Sequence, residues 1–383
     1  MYNVTIIRYG EISIKSPRVR EKMENILIRN IKTTLELSGI CKYKIKREKG
    51  RIFIYSENPI DIAKLLTKVF GIVSTSPAIE IDNDIEVIKE QVLKITKEIL
   101  KDNMEFAIRA RRVKSYKLTS KEIERIIGEE VLMKSGLKLK VNLENPDKII
   151  YIEIRKKRAY IYYHLFRGYG GLPYGVEGKV ISLVSGGVDS AISSWLIMKR
   201  GCEIIPIHYD LTPYYTKEAK ERAIDVLKWL RKWVPKKKFK IYLVPLGQIH
   251  SQVKLDDERY RCLLCKSLMY KIAEIVCIKE KAKGIVTGES MGQVASQTLD
   301  NLYFLSSLVK VPIYRPVIGF DKEEIIKLAK KLNVFEIAGR QVGLCKLVPK
   351  YPITHIEKEE IILKYDLKTI ANKALEKTQV IYL

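Results

Sequence analysis

The stretch Val180-Ile-Ser-Leu-Val-Ser-Gly-Gly-Val-Asp-Ser190, continued by Ala-Ile-Ser-Ser-Trp-Leu-Ile-Met-Lys199, sets the reading of the whole chain. The short apolar run Val180–Val184 is expected to be a buried strand, and the segment after Ser190 an amphipathic helix. Between them lies Ser185-Gly186-Gly187-Val188-Asp189-Ser190. Two adjacent glycines let the backbone turn tightly and approach a ligand closely. The first amides of a helix have no partner within it and point outward, which suits a phosphate oxygen. Ser185 and Ser190 add hydroxyl donors. Asp189 is out of place in a pure anion site, because its charge repels phosphate. It fits better as a partner for Mg²⁺ or as a group with a chemical task. The bland alternative is an ordinary Gly-Gly turn, which gives no reason for the Ser/Asp/Ser placement.

Downstream, apolar runs at Val180–Val184, Glu203–His208, Lys240–Val244, Gly284–Thr287 and Val311–Tyr314 alternate with helical segments. That alternation predicts a parallel sheet with helices on both faces. Ligands of such sheets bind at the carboxyl ends of the strands. The second run ends in Ile205-Pro-Ile-His-Tyr-Asp210, which makes Ile207 and His208 candidates for a nucleotide base or ribose. The fourth leads into Thr287-Gly-Glu-Ser-Met-Gly-Gln-Val-Ala-Ser-Gln297, which makes Gly288 and Gln297 candidates for the same ligand. The last leads into Arg315-Pro-Val-Ile-Gly-Phe-Asp-Lys-Glu-Glu324. Asp321 and Glu324 fit a helix capping box, a sufficient structural reason for both. Lys322 has no such reason and suits a position over an α-phosphate, where charge builds up.

Upstream, residues 1–78 alternate strand, helix, strand, strand, helix, strand, the order of a split βαβ, ferredoxin-like sandwich. Its expected elements are Val4–Arg8, a helix from Pro17 to about Ser38, Tyr43–Arg47, Arg51–Tyr55, a helix Ile60–Val69, and Ile72–Ser76. Residues 79–170 hold a second small α/β unit: helix Ile85–Leu100, strand Glu105–Arg109, helix Ser120–Met133, and a hairpin of Ile149–Ile154 with Ala159–Leu165. Arg109, Arg111, Arg112, Lys114 and Lys117, then Arg155, Lys156, Lys157 and Arg158, cluster there among Tyr116, Tyr160, Tyr162 and Tyr163. Basic groups contact phosphates and aromatic faces stack on bases. The tyrosines alone are equally explained by strand propensity. The stretch Gly168–Gly178 is a linker. It superficially resembles a dinucleotide fingerprint, but Pro173 occupies the third glycine position and a strand follows it. Residues 171–383 form the third domain.

The chain has 383 residues and a formal net charge of +25. Residues 1–175 carry 35 basic and 22 acidic residues (+13), and residues 176–383 carry 35 and 23 (+12). An excess spread over both halves points to a polyanionic partner, most simply nucleic acid. A surface rich in both signs of charge would not leave this imbalance. No apolar run approaches the roughly 18 residues that span a bilayer. The N-terminus reads as a strand, not a secretory leader, so a cytoplasmic location is expected. Six cysteines in so long a chain are not a disulfide framework.

The segment Ser185–Ser190 resembles the SGGxDS pyrophosphate loop of the ATP pyrophosphatases, which cleave ATP between the α- and β-phosphates and adenylate a substrate oxygen. It is not a Walker A loop, since the trailing Gly-Lys-[Ser/Thr] is missing. Together with Arg8-Tyr-Gly-Glu-Ile-Ser-Ile-Lys15, Gly168 to Lys179, TGESMGQVASQT and RPVIGFDKEEI, it is similar to the ThiI family of tRNA 4-thiouridine synthetases, over the whole chain and in order. The resemblance implies a ferredoxin-like N-terminal domain, a THUMP RNA-binding domain, and an ATP pyrophosphatase domain of the adenine nucleotide alpha hydrolase-like class. It implies that the uridine at tRNA position 8 is adenylated on its C4 oxygen and that sulfur then replaces the adenylate. By resemblance Ser185, Gly186, Gly187, Asp189 and Ser190 bind pyrophosphate, Lys322 serves adenylation and Cys345 sulfur transfer. ATP and Mg²⁺ are the implied cofactors, and tRNA, a sulfide or persulfide donor and a second copy of the chain the implied partners. In that homodimer the N-terminal part of one chain holds tRNA for the other's catalytic domain.

Sulfur chemistry needs a thiol or a metal-held sulfide. Cys262-Leu-Leu-Cys265 opens a helix, where the helix start, Arg261 and Lys266 are expected to favour thiolate. Cys345 lies in a loop. Cys41, Cys202 and Cys277 lie in or beside apolar segments and read as core. The chain ends near Leu383 without the rhodanese domain that carries persulfide in the best-known bacterial members. Cys262, Cys265 and Cys345 are therefore expected to converge beside the ATP site and hold an iron–sulfur cluster. A metal-free persulfide relay and a zinc site remain open, because CxxC is shared with redox motifs and half zinc sites. Two other readings stand beside this one. A different pyrophosphatase-loop enzyme, forming an amide or lysidine, needs no cysteine trio. A non-catalytic RNA-binding protein needs no intact loop.

Overall fold

The computed structural model describes residues 2–383, which form two compact units. One comprises the residues up to Arg20 and Thr34–Gly170; the other comprises Glu21–Thr33 and Gly171–Leu383.

The chain opens with β1 (Val4–Tyr9), α1 (Pro17–Leu37), β2 (Lys44–Glu48), β3 (Arg51–Tyr55), α2 (Pro59–Leu66) and β4 (Ile72–Asp82), all in the first unit except Glu21–Thr33 of α1. Proline at the first helical position of α1 and of α2 gives up an amide that has no partner there. The strand order β2-β3-β1-β4, antiparallel at every step, is the ferredoxin-like order expected. The chain continues through α3 (Ile85–Ile99), β5 (Glu105–Arg112), α4 (Ser120–Lys134), β6 (Lys140–Val141), β7 (Lys148–Ile154), β8 (Arg158–Tyr162) and β9 (Phe166–Arg167). On α3, Ile88, Val92 and Ile95 share one face, and on α4 Ile123, Ile127 and Val131 do. Both faces close over Phe106, Ile108, Ile150 and Ile152 of the sheet.

The two halves of this unit share one strand. Val4–Tyr9 pairs with Ile72–Ala78 of β4, and β8 pairs with its Ile79–Asp82. The expected boundary after residue 78 therefore falls inside a continuous strand. The sequence reading ends that strand at Ser76, but it runs on to Asp82, and proline is tolerated in a strand where its missing donor is not needed. Pro77 falls in a gap on one edge of β4, between Ser74 and Thr75, which pair with β9, and Ile79, where pairing with β8 begins.

Beside this junction Glu153 of β7 is buried among three guanidiniums. It lies 2.8 Å from Arg51, 3.5 Å from Arg8 and 3.7 Å from Arg155. Arg8 also donates to Ser76 Oγ at 3.0 Å and sits 4.7 Å over the Tyr162 ring. Arg155 Nε reaches Glu48 at 3.2 Å. Burial lowers the Arg51 pKa against the pull of Glu153. The Arg8 of the N-terminal sequence signature thus clamps β1 to β7.

The second unit contains β10 (Gly178–Leu183), α5 (Val188–Lys199), β11 (Cys202–Tyr209), α6 (Lys217–Arg231), β12 (Lys240–Val244), α7 (Leu246–His250), α8 (Arg261–Lys279), β13 (Ile285–Val286), α9 (Leu299–Ser307), β14 (Ile313–Tyr314), α10 (Lys322–Lys331), α11 (Phe335–Ala338), α12 (Glu360–Leu363), α13 (Leu367–Glu376) and β15 (Gln379–Tyr382). The sheet order is β14-β13-β10-β11-β12-β15. The first five strands are parallel, as expected. The sixth departs from the all-parallel expectation: β15 adds antiparallel to the β12 edge. Four residues at a chain end carry too little pattern to be read as a strand, and such an antiparallel edge is common on doubly wound sheets. Side chains alternate across each strand. Ile181, Ile205 and Ile207 point to the core shared with α8 and α13, and α5 covers the opposite face. β10 lies between β11 and β13, where the winding reverses. The crevice at its carboxyl end is where such sheets take ligands.

Replacing Glu153 by alanine leaves the buried Arg8 and the half-buried Arg51 without their counter-ion, and Arg155 with Glu48 alone. Chemical denaturation of the full chain is expected to report a loss of about 3–5 kcal/mol. A loss below about 1 kcal/mol would show that the cluster is solvated and does not hold β1 to β7.

Candidate active site

The Ser185–Ser190 loop leaves the crevice end of β10 and enters α5. Gly186 has φ +85°, and a Cβ there would lie 2.7 Å from the Ala223 Cα of α6. Ser190 Oγ donates to the Gly187 carbonyl at 2.9 Å and accepts from the Ser185 amide at 3.2 Å. Ser185 Oγ lies 3.2 Å from Ser190 Oγ and accepts from the Gly187 amide at 3.3 Å. The two serines read as phosphate donors thus lace the loop into shape. Gly288, after β13, lies against the same loop: a Cβ on it would come within 2.6 Å of the Ser190 nitrogen and 2.7 Å of the Asp189 carbonyl carbon.

Asp189 meets Lys322, the first residue of α10. The ammonium lies 2.8 and 2.9 Å from the two carboxylate oxygens, across 133 residues of sequence. Gln293 donates to Asp189 Oδ2 at 3.1 Å. The Asp321–Glu324 capping box that aims Lys322 is formed on both sides, at 2.8 and 3.0 Å. Both ends of the Asp189–Lys322 pair are partly exposed, and such pairs are worth about 0–1 kcal/mol. Either member exchanges its partner for a ligand at little cost.

A cavity of about 280 Å³ opens beside this pair, lined by Ser185, Asp189, Ser190, His208, Gly288 and Gln297 from the predicted set. Leu183, Leu211 and Met269 give it an apolar wall. His208 Nδ1 is 2.9 Å from the Val184 carbonyl, an acceptor, so this nitrogen carries the proton. Burial pushes the imidazole below its ordinary pKa, and the ring is neutral. Ile207 is a correction. Its side chain lies in the core and its carbonyl accepts from the Val184 amide at 2.9 Å. Ile207 is not a lining residue of the cavity.

Sequence reasoning missed Lys266 and Glu289 on the cavity wall. Glu289 is buried and accepts from Lys266 Nζ at 2.9 Å, Tyr270 OH at 2.6 Å, Thr287 Oγ1 at 3.0 Å and Arg315 Nε at 2.8 Å. Burial alone would raise its pKa. Lys266, the Tyr270 hydroxyl and Arg315 outweigh that and hold the carboxyl down to about 2. The one available signal was an acid inside the otherwise neutral run Thr287–Gln297.

Cys262 and Cys265 lie in the first turns of α8, and Cys345 on an irregular segment after α11. Lys346, next to Cys345, donates its amide to the Tyr214 carbonyl at 2.7 Å. Tyr215 and Thr216 follow on the cavity wall, as Lys266 and Met269 follow Cys265. None of the three cysteines is itself a lining residue. Burial raises the pKa of all three thiols, and the charge of Cys345 raises Cys262 and Cys265 further. Thiolates favoured by the helix start were expected instead. Arg261 is committed to Glu258 at 2.8 Å and Lys266 to Glu289, so burial prevails. The donor set fits a thiophilic metal, because three neighbouring thiolates repel one another without a cation among them. It is not closed around one: among the described residues no three His, Cys, Asp or Glu side chains are arranged to hold a metal ion. Of the other cysteines Cys277 is buried and Cys202 half-buried, but Cys41, read as core, is exposed.

In the first unit, several predicted RNA contacts are spent inside the fold. Arg109 donates to the Leu143 carbonyl. Arg112 donates to the Lys114 carbonyl at 2.7 Å, and Arg155 to the Lys49 carbonyl at 2.8 Å and to Glu48. A sequence gives no sign of which guanidiniums bind carbonyls. Arg111, Lys114, Lys117 and Lys156 are exposed. Lys117 and Lys156 line, with Tyr116, a groove of about 570 Å³. Tyr160 and Tyr162 are buried, which favours strand packing over base stacking for both.

A parallel sheet with a serine-laced SGGxDS loop at its switch point, a lysine paired to the loop aspartate and a cavity beside them defines an α/β enzyme of the ATP pyrophosphatase class. The family model described as thiamine biosynthesis protein (ThiI) matches residues 175–369. The THUMP domain matches 82–164 and the ThiI ferredoxin-like domain 4–76. A probable tRNA sulfurtransferase of Methanosarcina mazei is 40% identical over 388 residues, covering 100% of this chain and 96% of the relative. One of Thermococcus kodakarensis is 39% identical, covering 94% and 95%. Among solved structures, a 4-thiouridine synthetase in complex with RNA and bound ATP is 30% identical, covers 100% of both chains and superposes with a TM-score of 0.87. PH1313 from Pyrococcus horikoshii is also 30% identical, with a TM-score of 0.69 over 86% of this chain and 99% of that one. The chain belongs to the ThiI family.

Gly288→Ala places a methyl against the Asp189–Ser190 backbone, which cannot yield without moving the loop. ATP affinity is expected to fall at least about tenfold, roughly 1.4 kcal/mol, with the far-ultraviolet circular dichroism unchanged. Unaltered affinity would mean that the loop tolerates the shift.

Proposed function

We propose that this chain is an ATP-dependent tRNA sulfurtransferase, which adenylates the uridine at tRNA position 8 on its C4 oxygen and replaces that oxygen with sulfur to give 4-thiouridine. The observation that carries the reading is the Asp189–Lys322 pair at the cavity beside the Ser185–Ser190 loop. The sulfurtransferase relatives and the ATP-bound synthetase–RNA complex support it.

The chemistry runs in two displacements. The uridine C4 oxygen attacks the α-phosphorus of ATP, the N3 proton is lost, and pyrophosphate leaves. A sulfur nucleophile then attacks C4, the C–O bond breaks, and AMP leaves with the former uridine oxygen. The loop amides after Gly187 face the phosphates. Lys322 neutralises charge gathering on the α-phosphate. Asp189 would hold Mg²⁺, which would supply charge neutralisation for the departing pyrophosphate. Lys322, released from Asp189, is then free for the phosphate. The apolar wall formed by Leu183, Leu211 and Met269 favours the base over water.

For the second displacement, Cys262, Cys265 and Cys345 would hold an iron–sulfur cluster, whose iron without a protein ligand supplies a site for hydrosulfide. In this reading they lie near the adenylated base, since Lys266, the neighbour of Cys265, lines the cavity. The exposed basic residues Arg111, Lys114, Lys117 and Lys156 serve tRNA phosphates in this reading. The enzyme acts as a homodimer in the cytoplasm, as the family resemblance implies. Among the described residues no helix is long and apolar enough to cross a membrane.

Asp189→Ala is expected to abolish AMP and pyrophosphate formation, to below about one part in 10³, while tRNA affinity changes less than about twofold. Turnover at the wild-type rate in that variant would sink the proposal. For the sulfur step, each of Cys262→Ala, Cys265→Ala and Cys345→Ala is expected to lose iron, after anaerobic purification, together with sulfuration by free sulfide. If Cys262→Ala kept sulfuration while Cys345→Ala lost it, a metal-free relay through Cys345 would stand in place of the cluster.

A further inference from the structure

A carboxylate on the wall of a phosphate-binding cavity is unfavourable unless it has a task. Glu289 is such a group, and its two oxygens are used unequally. Oε2 receives three donors: Tyr270 OH at 2.6 Å, Arg315 Nε at 2.8 Å and Thr287 Oγ1 at 3.0 Å. Oε1 receives Lys266 Nζ alone, at 2.9 Å. One oxygen anchors the carboxylate and the other is reserved for the lysine. Lys266 also reaches the Ser296 carbonyl at 3.4 Å, one residue before Gln297 on the cavity wall. Its ammonium is thus held from two sides while its third donor remains for a ligand.

The charges support the same division of labour. Two cations surround one anion, so the set carries a net charge of one positive unit. Arg315 is turned away from the cavity mouth by its bond to Ser306 Oγ at 2.9 Å, and it offsets Glu289. The positive charge left over resides on Lys266, which lines the cavity and follows Cys265 in sequence.

We propose that Glu289 is a positioning residue, which fixes the Lys266 ammonium on the cavity wall so that Lys266 meets the phosphates of the bound nucleotide. The inference rests on the reading of this cavity as the ATP site with Lys266 on its wall, and what it adds is the role of Glu289. Neither acts alone: Lys266 touches the nucleotide, and Glu289 acts only through Lys266.

The test is a double-mutant cycle on ATP binding by the full chain, measured by calorimetry without tRNA or sulfur donor. Lys266→Met is expected to weaken ATP binding about tenfold or more, the scale of a lost charge-assisted hydrogen bond. Glu289→Gln keeps the shape but offers an acceptor on one side only. Either Lys266 or the three Oε2 donors then face an amide NH₂, and a weakening of about tenfold is again expected. The double variant Glu289→Gln/Lys266→Met should bind ATP within about twofold of Lys266→Met alone, because the two changes remove the same contact. Tyr270→Phe removes one Oε2 anchor without changing charge. Its smaller weakening, about threefold, should likewise vanish in the Lys266→Met background. Losses that multiply in either cycle would show that Glu289 or Tyr270 acts on the fold and not through Lys266, and would overturn the inference while leaving the proposed function standing. A wild-type chain that binds no ATP would overturn the proposed function, and the inference with it.

Discussion

The backbone of Gly288 lies against that of Asp189 and Ser190, with room between them for a hydrogen and not for a methyl. Everything chemical in the second unit is built outward from that contact. It joins the ends of β10 and β13, the two strands that flank the point where the sheet's winding reverses. It sets the loop so that Asp189 faces the start of α10 and Lys322. It also brings the segment after β13 close enough for Gln293 to reach the same carboxylate. The serines then finish locally what the glycine starts, by tying Ser190 to Ser185 and Gly187 within the loop.

Both units solve a charge problem in the same way. Each buries one glutamate among cations: Glu153 among Arg8, Arg51 and Arg155, and Glu289 between Lys266 and Arg315. A lone buried carboxylate would be protonated or would unfold its surroundings. With cations in excess it orders several long side chains at once. The two sites use this differently. Around Glu153 it joins strands that are distant in sequence. Around Glu289 it arranges a cavity wall.

The parts of this arrangement that are legible in sequence are those with a local signature. Five parallel strands are visible because each is a short apolar run ending in a polar loop. The capping box at Asp321 and Glu324 is visible because three-residue spacing is a local rule. Lys322 stands out only because that box leaves it without a structural reason. What one chain of letters does not carry is pairing at a distance. Asp189 and Lys322 are each recognisable, but nothing in their flanks says that they meet. Arg112 and Arg155 look like free cations and are bound to carbonyls. Lys266 and Arg261 look like neighbours that activate a thiol, and each already holds a carboxylate. Glu289 hides because an acid near phosphate looks like a surface residue until its four donors are seen.

β4 gives the first unit a property that neither of its two sequence modules has. A strand that pairs with one module along its first part and with the other along its second is common property. Cutting between the modules would strip each piece of a sheet neighbour and expose backbone groups along a fresh edge. Neither module therefore has a complete sheet without β4. Modular as the family descriptions make it look, this half of the chain is a single indivisible part.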